Sequence, residues 1–245
     1  MKKSVRRFAA ISVVLCLFLC PAVLSAAEGA VYTSLYSAQV GDTVLFGRFE
    51  QESWDRPADT QNPIEWIVMA LDGSKAYLLA KHAVAVHTYH NVMETNVVWA
   101  DAQLNEWLNS TFFYRAFNRR EQEIMVQTTV EGENSPFYPR TAAGRATKAY
   151  VWLLSVSEWE KYVKGTDYNV CSLTPDAWKA LHLDTTEQFT RGQNECWWWL
   201  RNPCYDNSEA QFVSFDGHVT ERGHMRVTAQ HGGVRPVICV DLSKY

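Results

Sequence analysis

The sequence predicts an α+β domain: a mixed sheet with two or three helices, and strands from the two ends of the chain paired in one sheet. Three observations carry this reading. Apolar runs of strand length gather toward both ends and are twice joined by Asp-Gly, at Asp72-Gly73 and Asp216-Gly217, the dipeptide that closes tight hairpins. Between them Leu104, Trp107, Leu108 and Phe112 recur at helical spacing on one face. Asn118 with Glu121, and Ser155 with Glu158, each have the spacing of an N-terminal capping box.

In chain order, Asp42 to Glu50 reads as the first strand, and Ile64 to Leu71 and Ala76 to Lys81 as the next two. The charged stretch from Gln51 to Asn62 is an exposed loop. The Leu104 helix follows, its apolar surface continued by Phe113, Ala116 and Phe117. Further helices start at Asn118, at Ser155 and at Thr174-Pro175, where proline takes the first helical position and Trp178 and Leu181 face inward. The polar, aperiodic stretch from Glu131 to Lys148 is loop. Beyond Trp197 the pattern is β: Gln211 to Phe215, His218 to Glu221, His224 to Ala229 and Val234 to Leu242. Strands at both ends with helices between them define the α+β class.

Residues 1–27 read as a secretory signal peptide: Lys2, Lys3, Arg6 and Arg7, an apolar run from Ala9 to Cys20, Pro21, then Ser25, Ala26 and Ala27. The run falls short of the ~20 apolar residues a membrane span requires. An uncleaved anchor is the alternative. The expectation is therefore an exported chain (extracellular, cell-surface or periplasmic) with no membrane span after cleavage, a spacer over 28–38 and a single domain over 39–245. Cleavage after Ala27 leaves 19 basic and 27 acidic residues, so the formal charge moves from −4 to −8. An acidic chain with scattered Lys and Arg is not expected to bind nucleic acid.

Cys171, Cys196, Cys204 and Cys239 remain after cleavage, and an even count in an exported protein favours disulfides. The preferred pairing is Cys196 with Cys204 and Cys171 with Cys239; Cys171 with Cys196 is the alternative, and reduced thiols are a third. The run Trp197-Trp198-Trp199 on an extended backbone puts Trp197 and Trp199 on one side and Trp198 on the other, so both faces must be covered. Arg201 and Arg235 each follow an apolar run and read as structural arginines paired with acids or carbonyls.

Four motifs taken together, Val40 to Gly47, Trp107-Leu108-Asn109, Trp198 to Arg201 and Val234-Arg235-Pro236, resemble an uncharacterised family of exported bacterial domains over almost all of residues 39–243. More distantly, that family resembles the C-type-lectin-like fold of lectins, formylglycine-generating factors and diversity-generating retroelement receptors. The resemblance implies a C-type-lectin-like mixed sheet whose loop between the Trp strand and the last strand forms the ligand face. Here Asn202 and Cys204 replace the Ser and Gly usual after Trp-Trp-Leu-Arg.

On that loop, Tyr205, Asp206, Asn207, Glu209, Glu221, Arg222, His224, Arg226 and His231 mix aromatic, amide and charged groups, a composition suited to a glycan or a protein ligand. The calcium triplets of sugar-binding lectins are missing, so Asp206 to Glu209 reads as a solvated turn. His82, His87 and His90 lie close in sequence, with His218, His224 and His231 near the other end. His-x-x-His on a helix can converge on a metal, but Ala83 to Val86 make the first stretch read as strand or loop with no acidic partner nearby, and no metal or cofactor is predicted. The leading expectation is a non-catalytic ligand-binding domain. Two others stand beside it: an oxidative enzyme using Cys196 and Cys204 as a thiol or copper pair, and a structural or adhesive envelope module.

Overall fold

The computed structural model describes residues 32–50, 61–93, 96–181, 190–191, 195–219 and 224–245. The signal peptide, the start of the spacer, most of the loop expected over 51–62, and Glu221 and Arg222 lie outside the described residues. Among the described residues four sheets surround one core, and the α+β class is the observed one.

The first sheet runs in the order β1 (Thr43–Phe49), β2 (Asn62–Asp72), β3 (Lys75–Ala80), β15 (Val237–Asp241), β7 (Val151–Trp152). The first and last strands thus share a sheet, with β15 docked on β3 from Val237↔Leu79 to Asp241↔Lys75. Gly73 at φ 58 turns the β2–β3 hairpin. At Gly47 the β1–β2 register slips. That residue sits at φ 69, and a Cβ there would lie 2.6 Å from the Phe117 ring and 2.8 Å from the Ala116 carbonyl, so only glycine fits. Its N–H donates to Glu121 at 3.1 Å, tying β1 to the helix that starts after Asn118.

A helical stretch packs against this sheet: α1 (Gln103–Trp107), a π turn (Leu108–Phe112) and α2 (Phe113–Ala116). Leu104, Leu108 and Phe112 are fully buried, while Trp107 is half-buried. Asn109 sits in the π turn. Its Nδ2 donates to the Val151 carbonyl at 2.8 Å, and its Oδ1 accepts from the N–H groups of Tyr150 and Val151. One amide side chain therefore clamps the helix to β7.

Both capping boxes form, at α3 (Arg119–Ile124) and α4 (Val156–Tyr162). In α5 (Pro175–Leu181) the Ala177 N–H donates to the Thr174 hydroxyl, and Leu181 is buried. The polar stretch after Val130 is irregular apart from its end, where β6 (Thr147–Ala149) pairs with β5 (Thr128–Val130).

The second large sheet runs β13 (His224–Arg226), β12 (Glu209–Val213), β11 (Trp198–Pro203), β14 (Gly233–Val234), β4 (Ala85–Val86). The expected Gln211 to Phe215 hairpin closes as a tight turn, with Gly217 at φ 78 and the Ser214 N–H bonded to the His218 carbonyl. The strand returning along β12 is β13; of the strand expected from His218 to Glu221, residues 220 and 221 lie outside the described residues. The expected strand from Val234 to Leu242 divides at Arg235-Pro236, where the chain leaves one sheet and enters the other. A small sheet of β8 (Cys171–Ser172), β10 (Glu195–Cys196) and β9 (Thr190–Arg191) sits before the Trp run. Among the described residues no helix is long and apolar enough to cross a membrane.

Candidate functional site

The Trp run lies at the centre of the packing. Trp197 and Trp199 share a face, their rings edge-on at 4.8 Å, and Trp198 on the other face lies under the Arg235 guanidinium at 5.0 Å. The Trp199 indole N–H donates to the His87 carbonyl at 2.9 Å. All three rings are buried, so none offers a stacking surface.

Two buried arginines hold this strand by different means. Arg201 pairs with both carboxylate oxygens of Glu158 and donates to the carbonyls of Leu153 at 3.0 Å and Glu131 at 3.3 Å. Arg235 donates to the carbonyls of Ala80 and Tyr168, each at 2.8 Å, and to that of Lys81. Asn202, where the motif has serine, accepts from the Val156 N–H at 2.7 Å and donates to the Glu133 carbonyl at 2.8 Å. It therefore satisfies a free donor in the first turn of α4, which a shorter serine would not reach in the same way.

The loop after β11 then turns outward. Tyr205 is 73% exposed, and Tyr138 meets it edge-to-face at 6.1 Å. The backbone under Tyr205 is fixed, because its carbonyl accepts from the Thr141 hydroxyl at 2.9 Å. Asp206 and Asn207 serve the loop itself. Asp206 accepts from the N–H and hydroxyl of Ser208, and Asn207 donates to the carbonyls of Ala142 and Val97. Glu209 faces Arg226 across β12 and β13, and the Val227 N–H donates to the Ser208 carbonyl, so both residues border the Tyr205 loop.

His224 lies opposite Gln211, further along the strand pair. His231 is half-buried two residues before Gly233, which pairs with Trp198 at the far end of β11. The structure thus gathers Tyr205, Asp206, Asn207, Glu209 and Arg226, adds Tyr138, and leaves His231 apart. Nothing in the spacing marked Tyr138, 67 residues earlier in the chain; it comes from the aperiodic loop after Val130.

The preferred disulfide pairing is corrected by the structure. All four thiols are free, and β11 separates Cys196 from Cys204 by six residues of extended chain, ~20 Å. Cys204 instead lies beside Gln211, whose Nε2 is 3.4 Å from its sulfur, and burial pushes its thiol up to about 11. Cys239 is in β15 opposite Tyr77, with its thiol likewise raised by burial to about 11, and does not meet Cys171. What Cys171 faces is Cys196, directly across β8 and β10.

Concave surface lies elsewhere. A cleft of about 460 Å³ runs between Leu45, Pro63, Leu173 and Pro175, with Glu65 and His82 in its wall. Glu65 bonds Lys81 at 2.6 Å and the Tyr32 hydroxyl at 3.0 Å, and His82 bonds the Ser172 hydroxyl at 2.8 Å. Burial raises the Glu65 carboxyl, but Lys81 and Tyr32 outweigh it and hold the group below its ordinary value. Burial holds the His82 imidazole low, helped by Lys81 and Arg235 and opposed by Glu65. The signal for this cluster was a lone Glu between Ile64 and Trp66 in an apolar strand. Among the described residues no three His, Cys, Asp or Glu side chains converge as a metal site.

No curated protein and no solved structure matches this chain. A family model described as a domain of unknown function, DUF6273, matches residues 73–242, and the chain belongs to that family.

Proposed function

We propose that this is an exported, non-catalytic domain that binds a glycan or a protein through the face carrying Tyr138 and Tyr205. One observation carries the reading: an exposed aromatic side chain stands on a backbone whose neighbours are all committed to holding it. Asp206, Asn207 and Thr141 make the loop rigid, so little conformational freedom is lost when a ligand packs on Tyr205. The exposed Tyr205, with the half-buried Tyr138 edge-to-face against it, offers an aromatic ring that carries a hydroxyl, a combination suited to sugar rings and to peptide side chains. Arg226 and Glu209 at the border supply charge of both signs. The more distant resemblance of the family to the C-type-lectin-like fold favours the same loop. The oxidative alternative lacks its pair, since Cys196 and Cys204 stand at opposite ends of β11.

A glycan and peptide array probed with the mature protein and with Tyr205→Ala tests the proposal. Binding by the parent should fall at least tenfold in the variant, while thermal stability stays within about 0.5 kcal/mol, as for an exposed side chain. Unchanged binding removes the face. The cleft beside Glu65 is the second reading, favoured by its 460 Å³ and its convergent polar groups. Binding that survives Tyr205→Ala and is lost in Glu65→Gln would place the ligand there instead.

A further inference from the structure

Cys171 and Cys196 occupy directly opposed positions on antiparallel strands, and both are fully buried. Opposed residues in such a pair hold their Cα atoms ~4.5–5.5 Å apart, within the range a disulfide spans. The two thiols lie close enough to act on each other's ionisation, and the Cys171 thiol donates to the Ser172 carbonyl at 3.5 Å. Beside them is Arg235, which is fully buried and bonds only carbonyls. No carboxylate of the described residues pairs with it; the two thiols and the Tyr168 hydroxyl favour its charged form, while the His82 imidazole is the cation nearby. A buried cation without a counter-ion is costly, and a thiolate at this pair would supply one.

The geometry points to Cys171 and Cys196 as a reversible redox pair: oxidation joins them in a cross-strand disulfide, and Arg235 stabilises the reduced form. Cys171 is the nucleophile. Burial works against its ionisation, but the neighbouring Cys196 thiol, the Arg235 guanidinium and the backbone at Ala83 together hold it below the ordinary thiol value. Cys196, beside Cys171 in a buried site, is held well above that value and stays protonated.

The reaction requires an external oxidant, a small-molecule disulfide such as oxidised glutathione. The Cys171 thiolate attacks one sulfur of that disulfide, whose S–S bond breaks and releases a thiolate. Cys196 then loses its proton and attacks the Cys171 sulfur of the mixed disulfide, expelling the second thiolate. Two protein sulfurs are oxidised, and one external disulfide is reduced to one thiolate and one thiol, the thiol carrying the Cys196 proton. Access comes by local opening, since β8 and β10 are two residues each and sit in a sheet of three such strands. The bond would close a loop over residues 172–195, tying α5 to the strand that leads into the Trp run. This inference stands independently of the ligand face.

The test is disulfide mapping of the mature protein after refolding in a glutathione redox buffer, with free thiols alkylated under denaturing conditions. The expected result is one linkage, Cys171 to Cys196, with Cys204 and Cys239 alkylated. A bond that includes Cys204 or Cys239, or four alkylated thiols at every redox ratio, overturns the pair. Measuring the ratio at half-oxidation in Arg235→Met tests the second half. Without the guanidinium the disulfide should be at least tenfold harder to reduce, a midpoint about 30 mV more negative. An unchanged midpoint in a folded variant removes the role of Arg235. Where that variant does not fold, the mapping on the parent protein still decides the pair.

Discussion

Glu158→Ala is the sharpest perturbation of the scaffold, because that carboxylate does two jobs. It accepts from the Ser155 N–H to complete the cap of α4, and both its oxygens pair with Arg201. Arg201 is only 4% exposed, so its charge cannot be rehydrated in place. Removing the partner of a buried charge costs about 3–5 kcal/mol, and losing the cap bond adds up to about 1 kcal/mol. Two features moderate this. Glu158 is itself 31% exposed, and Glu133 sits 3.9 Å from the same guanidinium and can swing toward it. A net loss of about 3 kcal/mol follows, which for a domain of this size lowers the midpoint by about 6–12 °C. Thermal unfolding followed by circular dichroism measures it. The double variant Arg201→Met with Glu158→Leu removes both charges and should recover part of the loss. A fall below about 2 °C in Glu158→Ala, or a double variant less stable than it, would refute the assignment of Arg201 as a buried cation held by Glu158.

Two further outcomes can be read in the same assay. The His82 imidazole is held below its ordinary value of 6.5, so the unfolded chain takes up a proton that the folded one refuses. Stability therefore falls as pH drops below about 6.5, with a slope of at most ~1.4 kcal/mol per pH unit from this one group, and His82→Asn should flatten that part of the profile measured by urea unfolding at stepped pH. Gly232→Ala should unfold the protein or cost several kcal/mol, because a Cβ there would overlap the Trp199 indole nitrogen that bonds His87; a folded variant with a parent-like midpoint would show that the Trp199 packing is looser than drawn.

What could be read ahead in the sequence was whatever local chemistry decides. Asn118 with Glu121 and Ser155 with Glu158 cap helices because both halves of each box lie within one turn. The alternation of three consecutive Trp follows from the two-residue period of a strand, and the rings do divide between two faces. The cysteines resisted reading because partners are chosen by register between distant strands. Residues eight apart along extended chain diverge, whereas Cys171 and Cys196 are brought together by β8 and β10 across 25 positions. The same limit hid Tyr138, which the loop after Val130 carries to Tyr205, and the cleft that sets Glu65 near His82. Asp206 and Asn207 share the loop composition of ligand-binding residues, but their side chains are spent on Ser208, Ala142 and Val97.

The Val-Arg-Pro motif shows why a signature can be specific and still say little of chemistry. At this point the chain passes from the sheet that contains the Trp run into the sheet that contains both ends of the domain. The return is mirrored on the neighbouring segment, where the Val84 N–H bonds the Val234 carbonyl and the Ala80 N–H bonds that of Pro236. Proline suits the corner because a residue without an N–H leaves no donor unpaired there. Arg235 fills the space between, its guanidinium collecting the carbonyls of Ala80, Lys81 and Tyr168 while its flat face covers Trp198. A lysine could not make three divergent bonds and stack at once. The motif therefore answers a demand of folding, two sheets joined by one buried cation. The thiol pair next to it is where that same cation reaches chemistry, because the charge the corner requires is also the charge that favours a thiolate at Cys171.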